Sequence, residues 1–315
     1  MRRILGRAGL IGVVMLTAGV LAACSSAGGP DQAAGSTTPA AGGGDAAAPI
    51  SIVTSTNVWG DVAAQIDVDQ VAVTSLIADP AADPHSFEPN AQAQLALSKA
   101  ALVVENGGGY DDFMQTMLQS ANSTPPVLNA VEVSGKAASG DDALNEHVWY
   151  DLPSAERVAS RIADELTTIE PGKADFFQAN LASFSDKIAG LSAKLDAIKA
   201  AHGGTDVAIT EPVPLYLIGA AGLVNVTPPE FSEAIEEGTD VPPTVLADTL
   251  ALFTGKKVAV LVYNEQTSSP ETEQLLTAAK DNSIAVVGVT ETLPEGKDYL
   301  SWMDANITAL AGALG

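Results

Sequence analysis

The chain has 315 residues, enough for two lobes of ordinary size, and 46% of them are hydrophobic, as in a globular protein. Its 39 acidic residues outnumber its 15 basic ones, and the resulting formal charge of −24 argues against nucleic acid and anionic membrane surfaces as partners of the folded body. The single cysteine excludes an internal disulfide and any cluster of thiolate ligands.

The chain begins "MRRILGRAGLIGVVMLTAGVLAAC": three arginines (Arg2, Arg3, Arg7), an apolar run, then small residues. This is the pattern of an export signal, with an apolar run too short for a comfortable membrane-spanning helix. The ending Leu-Ala-Ala-Cys resembles the bacterial lipobox, which implies cleavage after residue 23 and lipid attachment at Cys24. Residues 24–49 are mostly Gly, Ala, Ser, Thr and Pro, a composition that cannot build a core and reads as a flexible tether.

From Ile50 the pattern becomes regular. "ISIVTS", "QVAVTSLI", "ALVVENG" and "PVLNAVEV" read as strands, alternating with helical segments "NVWGDVAAQI", "NAQAQLALSKA" (capped by Asn90) and "DDFMQTMLQS". A long helical pattern, "LPSAERVASRIADELTTIE", ends this half, giving an N-terminal α/β lobe over residues 50–170. A second, over residues 171–202, carries Phe176, Phe177, Leu181, Phe184, Ile188, Leu191, Leu195 and Ile198 at threes and fours, with Pro171 suited to its first turn. At ~1.5 Å per residue such a helix is long enough to link one lobe to another. Residues 203–315 resume the rhythm as a C-terminal lobe, with strands "DVAIT", "KKVAVLVYN" and "SIAVVGVT" and helices "PVPLYLIGAAG", "PPTVLADTLALFTG", "SPETEQLLTAAKDN" and "YLSWMDANITALAGAL". The expected fold class is α/β: two βα lobes with parallel sheets joined by one long helix, and a site in the cleft between them.

Ligands of open parallel sheets bind beyond the carboxyl ends of the strands. Four metal-capable side chains fall there: His85 in "DPHSFEP", His147 in "NEHVWYDLP", Glu211 after "DVAIT" and Glu291 after "SIAVVGVT". Each alone is as well explained as an ordinary core or surface residue. Together, two from each half, they would neutralise a divalent cation and suit a first-row transition metal, with the carboxylates favouring harder ions such as Mn2+. Pro84 stiffens the loop that carries His85. Trp149 is either an apolar cover over the site or plain core. Glu88 is either an acceptor from a histidine N–H or a stabiliser of the helix start. Asn264, Glu265 and Gln266 follow a strand toward the same cleft and stand in reserve for Glu291. His202, at a helix end before Gly203-Gly204, reads as structural. The prolines at 228–229 and 242–243 bracket an acidic loop with no evident role.

"DPHSFEP" and "HVWYDLP" together resemble the histidine motifs of the zinc- and manganese-type metal solute-binding proteins of bacterial ABC importers. "TEPVPLYLIGAAGL", "TPPEFSEAIEEGTDVPP" and "VYNEQTSSPETEQL" are similar to an actinobacterial-style branch of that family, and the likeness runs from about Ile50 to Leu314. The resemblance implies two α/β lobes about a single long helix, with metal held between them by His85, His147, Glu211 and Glu291. Glu291 stands where the family usually has aspartate, and the histidine-rich loop of many zinc-type members is missing. Glu211 leans toward manganese, although two histidines and two carboxylates also hold zinc.

The resemblance implies a non-enzymatic receptor that captures Zn2+ or Mn2+ and hands it to an ABC permease. It would be a monomer, lipid-anchored on the outer face of the cytoplasmic membrane. Its affinity should fall as the histidines protonate. Two alternatives compete with it. An extracellular metal-dependent hydrolase would need an open metal position, which four protein ligands do not leave, and the chain has no HExxH or GxSxG signature. An adhesive or structural lipoprotein would show no change in melting temperature with metal.

Overall fold

The computed structural model describes residues 49–68, 71–79, 87–121, 123–138 and 143–315. His85, Cys24 with the leader, and nearly all of the tether lie outside the described residues. Among the described residues no helix is long and apolar enough to cross a membrane.

The N-terminal lobe runs β1 (Ile50–Thr56), α1 (Asn57–Ile66), β2 (Val71–Ile77), α2 (Ala91–Ser98), β3 (Leu102–Glu105), α3 (Phe113–Ala121), β4 (Val127–Asn129) and α4 (Ala130–Ser134). Two long helices follow, α5 (Leu152–Ile169) and α6 (Ala174–His202). The C-terminal lobe runs β5 (Asp206–Ile209), α7 (Leu215–Ala220), β6 (Val224–Asn225), α8 (Pro229–Glu236), α9 (Pro243–Thr254), β7 (Val260–Asn264), α10 (Pro270–Asp281), β8 (Ala285–Val289) and α11 (Tyr299–Leu314). Each lobe holds a four-stranded sheet with every pair parallel, ordered β2-β1-β3-β4 and β6-β5-β7-β8. One winding is therefore used twice, with β5, β6, β7 and β8 in the places of β1, β2, β3 and β4. The protein has the expected class: two parallel-sheet α/β lobes with a long helix between them in the chain.

The pleat sorts each strand's residues into two cores, because successive side chains point to opposite faces. In β3, Leu102 and Val104 join one large apolar cluster and Val103 a smaller outer one; in β7, Val260 and Val262 do the first, Leu261 and Tyr263 the second. The large cluster is shared by both lobes. It contains Ile52 and Leu102 from one sheet and Val207, Val260 and Val287 from the other, with α6 supplying Phe177, Phe184, Ile188, Leu191, Leu195 and Ile198. Those six lie on one stripe of α6, whereas Phe176 falls off it and is exposed.

Polar links cross between the lobes as well. Asn57 Nδ2 donates to the Leu293 carbonyl and Asn57 Oδ1 accepts from the Leu293 N–H. The Tyr150 hydroxyl donates to the Thr290 carbonyl, and the Tyr299 hydroxyl to the Trp149 carbonyl at 2.7 Å.

Local signals set most element ends as the sequence predicts. Asn90 caps α2 by accepting from the N–H groups of Gln92 and Ala93. Ser269 and Thr272 form a reciprocal capping box at α10. Four segments differ from expectation, the first being the short strand β6, in a stretch not read as one. "PVLNAVEV" is a strand only as far as Asn129. Its side chain accepts from the Glu132 N–H, so it starts α4, which Gly135 closes at φ +68°. Residues 171–173 form a separate 3-10 turn, and α6 begins at Ala174. The acidic segment between the proline pairs contains a helix, α8, with proline at its first turn and Phe231, Ala234 and Ile235 on its buried side.

Candidate metal centre

The carboxyl ends of the two sheets face one another, and the side chains just beyond them converge. From the N-terminal lobe, β3 leads into a turn whose Gly107 has φ +79°, a region open to glycine. A Cβ there would also sit 2.2 Å from the Asn129 amide. Within this turn Asp111 accepts from the N–H groups of Asn106 and Gly107 at 2.6 and 2.7 Å. Asn106 in turn accepts from the Trp59 indole and donates to the Glu146 carbonyl at 2.9 Å. This chain of bonds fixes the segment that carries Glu146 and His147.

His147 is fully buried, 0% exposed, at the start of a 3-10 turn over Val148–Tyr150. Asn145 Oδ1 accepts from both the His147 backbone N–H (3.0 Å) and ring Nδ1 (2.8 Å). Asn145 Nδ2 is committed to the Pro212 carbonyl at 3.0 Å, so the amide cannot be flipped, and the atom facing the ring is an acceptor. Nδ1 therefore carries a proton, and in the neutral ring Nε2 holds the lone pair. Nε2 has no hydrogen-bond partner among the described residues. It lies 3.6 Å from Glu236 Oε1 and 3.8 Å from Glu291 Oε2. Rings of Trp149 and Tyr110 stand edge-on to it, with centroids at 5.1 and 5.9 Å.

From the C-terminal lobe come Glu211, Asn264 and Glu291, all buried. Asn264, the last residue of β7, donates from Nδ2 to Glu211 Oε2 and, at 2.9 Å, to Glu291 Oε1. Glu291 Oε2 accepts from the Tyr110 hydroxyl across the cleft at 3.1 Å. Gln266 Oε1 receives the backbone N–H groups of Glu291 and Thr292, which holds the Glu291 turn in place. Burial and the neighbouring Glu291 carboxylate push the Tyr110 hydroxyl well above its ordinary pKa, so it remains a donor. Glu236 ends α8 and hydrogen-bonds Glu146; burial, then the charges of Glu146, Glu211 and Glu291, push its carboxyl up to about 9.

The structure thus brings together His147, Glu211 and Glu291, three of the residues singled out in the sequence, while the fourth, His85, lies outside the described residues. Asn264 joins the cluster as a donor between two carboxylates. Glu265 does not: it is exposed and folds over Gly288, where an added Cβ would lie 2.2 Å from its Oε1. Adjacent residues at a strand end point to opposite sides, which accounts for the split between Asn264 and Glu265. Trp149 is buried against the imidazole and Glu88 is exposed. His202 ends α6 before Gly203, as read.

Four further residues at the site carry no mark in the sequence: Tyr110, Asn145, Glu146 and Glu236. Glu146, His147 and Glu236 offer one ligand atom each, all within 4.8 Å of one another. Donors around one transition metal with bonds of ~2.0–2.3 Å lie roughly 3–4 Å apart, so the 3.6 and 3.8 Å separations are those of a shell that needs little contraction. An imidazole lone pair surrounded by carboxylates, shielded by aromatic rings, is chemistry for a divalent cation.

Fold and site define a class: a two-lobed solute-binding receptor for a metal ion. The chain belongs to the zinc-uptake complex component A (periplasmic) family, whose model matches residues 52–313. That family is one of transport receptors rather than enzymes. The chain is 25% identical to the metal ABC transporter substrate-binding lipoprotein FimA of Streptococcus parasanguinis, over 85% of this chain and 90% of that one. It is 24% identical to the manganese ABC transporter substrate-binding lipoprotein PsaA of Streptococcus pneumoniae, over 84% and 89%. The crystal structure of ZnuA superposes with a TM-score of 0.72 at 22% identity, covering 85% of this chain and all of that one. The periplasmic zinc-binding protein TroA of Treponema pallidum does so at 0.71 and 17%, covering 84% and 98%. At these identities the structural likeness speaks for the fold alone.

Proposed function

We propose that this protein captures a divalent transition metal, Zn2+ or Mn2+, between its lobes and delivers it to an ABC permease in the cytoplasmic membrane. His85, His147, Glu211 and Glu291 are the proposed ligands, with residues 50–170 and 203–315 as the two lobes and 171–202 as their link. The leader and its lipobox-like ending support export and a lipid tether on Cys24, and the mature chain in this reading is a monomer. This agrees with the names of its relatives, which include lipoproteins for manganese and for metal.

The observation that carries the proposal is the His147 Nε2 lone pair. It is wholly buried, has no hydrogen-bond partner among the described residues, and faces carboxylates from the opposite lobe. A buried acceptor left like this costs on the order of 1–3 kcal/mol, and a cation supplies what it lacks. Equilibrium dialysis of metal-free protein against Mn2+ and Zn2+ tests the proposal. One equivalent should bind at micromolar concentration, and His147→Ala should abolish it. Metal at 100 times its dissociation constant should add about 2.7 kcal/mol to the stability. No binding, or binding indifferent to His147→Ala, refutes the proposal.

A further inference from the structure

Glu236 lies outside the set that the family resemblance assigns, yet its Oε1 stands 3.6 Å from the imidazole Nε2, against 3.8 Å for Glu291 Oε2. It is held there by α8, whose Phe231 and Ile235 are packed in the outer core of the C-terminal lobe. The placement is unfavourable for a carboxylate on three counts. Its side chain is only 13% exposed, and Oε2 has no hydrogen-bond partner among the described residues. It sits at the C-terminal end of a helix, the negative end of the helix dipole. Its neighbours are other carboxylates: Glu146, to which it is hydrogen-bonded, and the charges of Glu211 and Glu291. A side chain with a stabilising role would have a cation or donors here. This one has an unpartnered, fully buried imidazole nitrogen aimed at it.

From this geometry we propose that Glu236 is a specificity-determining ligand: it adds a carboxylate oxygen to the ion's shell and so favours a divalent cation of the Mn2+ type over Zn2+. The chemistry follows from coordination preference. Zinc settles with four donors in a tetrahedron, whereas manganese belongs with the harder ions that take octahedral, oxygen-rich shells. Two imidazoles and two carboxylates already complete a zinc site. A further carboxylate oxygen is a gain for the ion that accepts more than four donors and a crowding for the one that does not. Glu146, within 4.8 Å and bonded to Glu236, positions that carboxylate rather than ligating in its own right.

This inference rests on the proposed capture of metal, and the test separates the two. Full-length mature protein, wild type and Glu236→Gln, is titrated with MnCl2 and with ZnSO4 in competition with a chelator of known affinity. Glu236→Gln should weaken Mn2+ binding by about tenfold or more while Zn2+ binding changes clearly less. The visible absorption of bound Co2+ should intensify in the variant as the ion loses a donor and approaches a tetrahedron. Metal-free Glu236→Gln should melt no lower than wild type, because the amide replaces an acid whose ionised form burial and the surrounding carboxylates disfavour. Glu236→Asp, with its carboxylate withdrawn by one methylene, should show the same order of effects. Equal shifts for the two metals, or none, with an unchanged Co2+ spectrum, overturn the role of Glu236 and leave the receptor intact. A wild type that binds neither metal overturns both.

Discussion

Asn145→Ala isolates the residue that orients the imidazole. In the structure one oxygen, Asn145 Oδ1, holds both the His147 backbone N–H and the ring Nδ1–H, and one N–H group ties the same side chain to the Pro212 carbonyl in the other lobe. Truncation frees the ring to rotate and exchange tautomers, and leaves a buried N–H without an acceptor. Loss of such an outer-shell partner lowers metal affinity by roughly 10–100-fold, which is about 1.4–2.8 kcal/mol. The lost link to Pro212 adds about 1 kcal/mol of destabilisation in the metal-free protein, a fall of about 2–4 °C in melting temperature. The two effects separate in Asn145→Asp, which still accepts from the ring but cannot donate to Pro212. Its affinity should recover while its melting temperature stays low. Titration calorimetry with Mn2+ and thermal melts of the apo form measure both. If Asn145→Ala binds within about twofold of wild type, or if Asp binds as weakly as Ala, the orienting role is refuted.

Three further outcomes are expected. Asp67 is fully buried and neither of its oxygens has a hydrogen-bond partner among the described residues, so desolvation raises its pKa on folding. The folded state therefore holds this proton more tightly than the unfolded state, and the group weakens the fold as pH rises above the ordinary carboxylate range. Asp67→Asn should raise the melting temperature, more at pH 7 than at pH 4, and an equal gain at both values would contradict this. Tyr299→Phe removes the donor to the buried Trp149 carbonyl and should cost about 1–3 kcal/mol in chemical denaturation without loss of metal stoichiometry. Gly107→Ala combines a positive φ with a Cβ inside the Asn129 amide. It should destabilise by more than about 1 kcal/mol, and weaken metal binding through displacement of the Asn106 anchor on Glu146.

The candidate site residues legible in the sequence were those that a topological rule can locate. Glu211 and Glu291 each follow a strand directly, so the expectation that ligands gather beyond strand ends singles them out, whereas His147 follows "VLNAVEV", whose second half is α4 rather than strand. Glu236 was not legible, because its place depends on α8. Prolines on both sides made that segment read as loop, although the buried spacing of Phe231, Ala234 and Ile235 was a helical signal. Tyr110 and Asn145 carry no such mark. Their roles arise from proximities to Glu291 and Pro212, which are 181 and 67 residues away along the chain. The fold shows the same division. Strand and helix alternation announced the two parallel sheets, and Asn90 announced its helix. β4 was misjudged as longer because β-branched "VEV" outweighed the capping asparagine before it. Nor does period-2 alternation say which face of a strand meets the other lobe.

The apolar cluster common to both lobes has an evolutionary consequence. Each half depends on α6 for its interior, since that helix joins the same apolar cluster as Leu102 of one sheet and Val260 of the other. A gene fragment encoding one half would leave that interior exposed to water and aggregate. Relatives can therefore exchange loops and ligands freely, but an exchange of whole halves must bring a matching set of buried side chains with it.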